Sequence, residues 1–160
     1  MAVNSTVFIL KLALMKNSLI FVSLLFVFAA CKKDEPAVVV DPNSVSFDIV
    51  LLGKNEVPET ISLAEGIFKG TYNKSTKILS YTLTHKGMTA TAAHFHKGAA
   101  NATGAIVINI ATAAFVSPLS SQTVALNTQQ ELDLLAGMWY VNVHSAIYTG
   151  GEIRGQLLKK

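Results

Sequence analysis

The sequence predicts an all-β domain, an antiparallel sandwich or barrel of about seven or eight short strands with one short helix. Three observations carry that expectation. Apolar and polar residues alternate over short runs, most plainly with Phe47, Ile49 and Leu51 and again with Leu79, Tyr81 and Leu83. Turn-forming residues such as Asn73-Lys-Ser-Thr76 and Gly150-Gly151 separate those runs. The helical signature is confined to one capping box and a turn or two after it. Many short strands between turn signals argue for a sandwich or barrel, and no fixed-period repeat suggests otherwise.

The first strand is expected over 46–52, and Gly53 to Pro58 break it. Strands over 66–72 and 77–84 follow as a pair, joined by the turn at 73–76. His85 falls at the end of the second strand's apolar row, where a rim or core histidine is expected rather than a ligand. Ala92-Ala-His94-Phe-His96 sets both histidines on one strand face and Phe95 on the other. A small-residue loop, 97–104, leads to a β-branched strand over 105–110, and a weaker strand is expected near 122–125. Thr128-Gln-Gln-Glu131 reads as a capping box opening a helix over 132–136, which Gly137 stops.

The last stretch organises the rest. Trp139-Tyr-Val-Asn-Val-His144 points Trp139, Val141 and Val143 one way and Tyr140, Asn142 and His144 the other. After the loop 145–151, the closing strand separates Ile153, Gly155 and Leu157 from Glu152, Arg154 and Gln156. The simplest register sets His144 opposite Glu152, Asn142 opposite Arg154 and Tyr140 opposite Gln156. One face is then apolar. The other carries an imidazole, a carboxylate, an amide and a guanidinium, and that face is where function is expected. Trp139 belongs with the core because it shares a face with Val141 and Val143.

The chain has 160 residues, enough for one ordinary domain after a leader. Met15-Lys16-Asn-Ser and the apolar run Leu19 to Ala30 read as a secretory signal over 1–30, with Met15 the expected true start. That run is too short for a comfortable membrane span, which needs ~20 residues. Lys11 and Lys16 fall in the leader, so eleven of the 13 basic residues remain against ten acidic ones. No basic cluster is left, and nucleic acid is not an expected partner. Cys31 is the only cysteine, which excludes an intramolecular disulfide.

Phe28-Ala-Ala-Cys31 resembles a bacterial lipobox, with phenylalanine where leucine is commonest. The resemblance implies lipidation at Cys31 and a membrane partner through that lipid. Lys32-Lys33-Asp34-Glu35 resembles the export tag of Bacteroidetes surface lipoproteins, which implies the outer membrane or cell surface. A solvated tether is the alternative. Residues 31–45 then form the lipidated tether and 46–158 the domain.

Asn55-Glu-Val-Pro58, Ala93-His-Phe-His96-Lys-Gly98, Gly104, Leu135 to His144 and Gly150-Gly-Glu-Ile-Arg-Gly-Gln156 together resemble the CHRD domain. That module occurs in chordin and, in single copy, in many bacterial secreted proteins. The resemblance implies an extracellular β-sandwich acting as a binding or structural module for an unknown envelope or extracellular ligand. Chordin's own partners are not implied, because function belongs to sites rather than folds. The order His-x-His, a strand ending in His, then Gly-Gly-x-x-Arg is also similar to copper–zinc superoxide dismutase. On that similarity His94, His96 and His144 correspond to copper ligands and Arg154 to an anion-guiding cation. Counterparts of the bridging and zinc ligands are missing from the sequence, so a full dismutase site is not expected.

The residues leave two readings open. Three neutral imidazoles from two strands suit copper or zinc, with Glu152 fixing the His144 tautomer or ligating. The same residues also suit a hydrogen-bonded network under the loop, with Arg154 clasping Glu152. Asn142 and Arg154 further suit an anionic or carbohydrate ligand, with Tyr140, Tyr148 and Trp139 as a stacking surface, although Trp139 is expected in the core. The sequence shows no nucleophile elbow, phosphate loop or paired carboxylates, so an enzyme is the least favoured class and dismutase-like redox chemistry a remote one.

Overall fold

The computed structural model describes residues 41–160. The leader at 1–30, Cys31 with its lysine-plus-acidic sequel, and the tether up to residue 40 lie outside the described residues. Eight strands follow in chain order: β1 (Ser44–Leu52), β2 (Glu65–Asn73), β3 (Ile78–Lys86), β4 (Ala90–Lys97), β5 (Ala105–Ala111), β6 (Leu119–Gln122), β7 (Trp139–Ser145) and β8 (Ile153–Gln156). A 3-10 turn (Gly53–Asn55) follows β1, and one helix, α1 (Thr128–Leu135), stands between β6 and β7. The strands form a single antiparallel sheet in the order β5-β4-β7-β8-β1-β2-β3-β6. It curls into a nearly closed barrel, so the all-β expectation holds.

Alternation explains which face goes inward. Along β2 every second residue from Gly66 to Tyr72 is buried, and along β3 Leu79, Tyr81 and Leu83 are buried. The two strands pair without a register shift, and the Asn73 side chain closes their turn by accepting from the Ser75 and Thr76 amides (2.9 Å each). Curling then brings distant strands into contact. Phe95 of β4 meets Phe68 of β2 and Tyr81 of β3 edge-on, with ring centroids 5.6 and 5.2 Å apart, and Trp139 of β7 at 5.7 Å. Each such fully buried aromatic side chain contributes about 1.5–3 kcal/mol of transfer free energy. After β8 the chain runs beside β1, where Phe47 bridges Lys159 and the Lys160 amide donates to Ser46 O (3.0 Å).

Two elements differ from expectation. The weak strand lies at Leu119–Gln122, paired with Ser80 to Leu83, rather than at 122–125. Beyond it the chain still follows β3, with the Thr123 amide donating to Leu79 O (3.0 Å), but the Leu79 amide is accepted by the Thr123 hydroxyl instead of a backbone carbonyl, so the regular ladder ends there. The helix is capped one residue early. Asn127 accepts from the Gln130 amide (2.9 Å) and the Gln130 side chain accepts from the Asn127 amide (3.0 Å). Glu131 is instead free to pair with Lys77 (3.2 Å), and Asp133 with Lys97 of β4 (2.7 Å), which ties the helix to the barrel. Gly137 ends the helix at φ 72°, as expected. Among the described residues no helix is long and apolar enough to cross a membrane.

Candidate functional site

Strands β4, β7 and β8 lie side by side, and their non-core faces set polar residues in rows. His94, Asn142 and Arg154 are opposite one another, and His96, Tyr140 and Gln156 form the next row. His144 is opposite Ala92, diagonal to His94. The predicted pairs Asn142–Arg154 and Tyr140–Gln156 are therefore present. All seven residues of β7 are buried, because loops cover the face that alternation would otherwise leave to solvent.

The three histidines come together. His94 Nδ1 lies 2.9 Å from His144 Nε2, and one nitrogen from each of the three rings falls within 4.8 Å of the others. Backbone carbonyls fix two of the tautomers. His96 Nδ1 is 2.9 Å from Gly104 O, and His144 Nδ1 is 2.9 Å from Thr149 O. A carbonyl only accepts, so the hydrogen sits on Nδ1 in both rings and Nε2 is turned inward. His96 Nε2 is buried without a hydrogen-bond partner. Burial, reinforced by the two neighbouring imidazoles, holds His94 down at about 4, and burial also lowers His96. Both rings are thus neutral near pH 7, the form that ligates metal.

The rest of the row fastens a loop. The Arg154 guanidinium donates to Ala102 O (3.0 Å) and Ala99 O (2.8 Å), and the Gln156 amide donates to Gly98 O (2.9 Å) and Gly137 O (2.7 Å). The Tyr140 hydroxyl accepts from the Gly104 amide (3.1 Å). Its ring is stacked on His96 at 4.8 Å and lies 3.4 Å from the guanidinium carbon. Arg154 is 1 % exposed, and its role here is to clasp the 98–104 loop rather than to meet an anion. The expected Arg154–Glu152 clasp is not formed. The β7–β8 ladder ends at Val143–Ile153, and Glu152 turns to accept from the Ser62 hydroxyl (2.6 Å). Thr149 O takes the part foreseen for Glu152 in setting the His144 tautomer. Trp139 is in the core, as expected, and His85 packs edge-on against Phe115 (5.1 Å) outside the trio.

A family model described as the CHRD domain matches residues 47–157. The chain belongs to the CHRD family. No curated protein and no solved structure matches it. The CHRD domain here is accordingly a binding or structural module, and its polar face is the place to look for what it binds.

One residue of that face, quoted only within the Asn55-to-Pro58 motif, was given no role by the sequence. Glu56, just after the 3-10 turn, is 7 % exposed and lies against Asn142 and Gly151. Burial pushes its carboxyl up to about 7, against the opposing pull of Arg154, the Val57 amide and Asn142. Its Oε1 makes no hydrogen bond of good geometry, while the Asn142 amide nitrogen lies 3.5 Å from Gly150 O. Gly151 makes the approach possible. At φ 130° only glycine is at ease, and a Cβ there would collide with Glu56 Oε1. No spacing rule links residue 56 to residue 142, so only the fold reveals this CHRD-domain contact.

Proposed function

We propose that this CHRD domain is a metal-binding module of the cell envelope, holding zinc or copper with His94, His96 and His144. The observation that carries the proposal is the buried, unpartnered His96 Nε2, turned toward His144 Nε2 and His94 Nδ1 while the rear nitrogens of two rings are tied to carbonyls. A purely structural network would leave that nitrogen unsatisfied at a cost of about 1–3 kcal/mol. Imidazoles bound to zinc sit about 2.0–2.1 Å from it and hence roughly 3.3 Å apart. The spacings here, from 2.9 to at most 4.8 Å, bracket that value, so small ring rotations suffice.

The Cys31 lipobox and the following lysine-plus-acidic residues support anchoring through lipid at the outer membrane or cell surface. Mass spectrometry of the N-terminus, with Cys31→Ser as control, tests that part. The metal site is tested by metal content and melting temperature of the purified protein with and without zinc or copper. The expected result is one equivalent of metal and a raised melting temperature, both lost in His94→Ala/His144→Ala. Absence of metal uptake by the unaltered protein, with the histidine changes only lowering its melting temperature, would return the cluster to a structural role.

A further inference from the structure

We propose that Asn142 Oδ1 is a fourth ligand of this site. The proposal rests on the three-histidine reading and extends it to a set of three nitrogens and one oxygen. Asn142 is 2 % exposed, between His94 on β4 and Arg154 on β8. Its nitrogen end faces two acceptors, Gly150 O at 3.5 Å and the Glu56 carboxyl across Gly151. Its oxygen end faces the histidines, with Oδ1 3.0 Å from His144 Nε2.

That contact is chemically incomplete. With the His144 hydrogen committed to Thr149 O, Nε2 of a neutral ring can accept from His94 Nδ1–H (2.9 Å), but it has no hydrogen to give Oδ1, which stays unpaired against it. A cation between the two resolves it. A proton on His144 Nε2 would do so locally, but it would leave His96 Nε2 orphaned. A single metal ion satisfies His144, His96, His94 and the amide oxygen together. An amide oxygen is a hard donor, so this set takes zinc or divalent copper in preference to monovalent copper.

The test uses the purified protein, with zinc affinity measured by chelator competition and cobalt(II) as a spectroscopic stand-in. Asn142→Ala is expected to weaken zinc roughly 10–100-fold, the range seen when groups supporting a metal site are removed, and to shift the visible cobalt bands. Should Asn142→Ala not fold, Asn142→Asp decides instead, because a neutral oxygen ligand becomes an anionic one and the bands must move. Zinc affinity and cobalt bands that are unchanged in Asn142→Ala, or unmoved bands in Asn142→Asp, overturn the oxygen ligand while leaving the histidines in place. An unaltered protein that takes up neither ion overturns the three-histidine reading first, and this inference falls with it.

Discussion

Glu56 is a carboxyl whose neighbours do little to keep it charged. Arg154 is close enough to pull its pKa down, but the guanidinium directs hydrogen bonds to the Ala99 and Ala102 carbonyls, and burial wins. The sign of the pH effect follows. Between the ordinary value of 4.5 and the native value of about 7, the folded protein keeps a proton that the unfolded chain has lost. Stability contributed by Glu56 is therefore full below pH 4.5, falls as pH rises through 7, and is level above. His94, held at about 4, acts oppositely, costing stability as pH drops from 6.5. The comparison that isolates Glu56 is metal-free protein against Glu56→Gln, by urea midpoint at pH 5 and pH 8. The glutamine variant is expected to gain relative to the unaltered protein at pH 8, and equal differences at both pH values would show that Glu56 is ionised throughout. At this scale the sequence was informative where alternation governs. His94, His96, His144 and Asn142 share a face because strands alternate, whereas Glu56 and the Thr149 carbonyl arrive from loops whose positions no period sets.

Elements show the same division between local rule and tertiary choice. Asn127-x-x-Gln130 and Thr128-x-x-Glu131 both satisfy the capping-box pattern, one residue apart, and sequence alone gives no reason to prefer either. The fold chooses the first, because Glu131 then meets Lys77 at the end of the β2–β3 turn. Asn127→Ala should accordingly cost about 1 kcal/mol, as lost caps commonly do. Thr128→Ala, which lies inside the helix, should stay within roughly 0.5 kcal/mol. Denaturant midpoints of the two variants measure the difference directly, and the reverse order would put the cap back at Thr128. The β7–β8 pairing was legible for a related reason. Only one register keeps Trp139, Val141 and Val143 together with Ile153 and Leu157 in the core, and a slip by one residue would expose them. What that rule could not supply was where the ladder stops. The Glu152 amide still donates to Val143 O (2.8 Å), but Thr60 and Ser62 of another loop donate to its carbonyl and carboxylate and end the ladder there.

At the scale of the whole molecule, the sheet must curl for the site to exist, and curling is a long-range property that pattern reading leaves open between sandwich and barrel. Strand β4 serves both ends of that requirement. Its inward residue Phe95 packs on Phe68, Tyr81 and Trp139 from three other strands, while the residues on either side, His94 and His96, form most of the site on the opposite face. Removing the ring leaves a cavity at the point where the two halves of the sheet meet. Phe95→Ala should therefore cost about 3–5 kcal/mol, the usual range for a buried phenylalanine. Ile106→Ala, on the outer strand β5 and 52 % exposed, should change stability by no more than roughly 0.5 kcal/mol. Phe95→Leu fills part of the space, and it should fall between these two while keeping the fold. If β4 couples core to site as its alternation requires, Phe95→Leu also weakens zinc binding at a pH where the fold is intact, while Ile106→Ala does not. Equal zinc affinities in the two variants would mean that the loop carbonyls of Gly104 and Thr149, rather than the aromatic junction behind β4, hold the histidines in place.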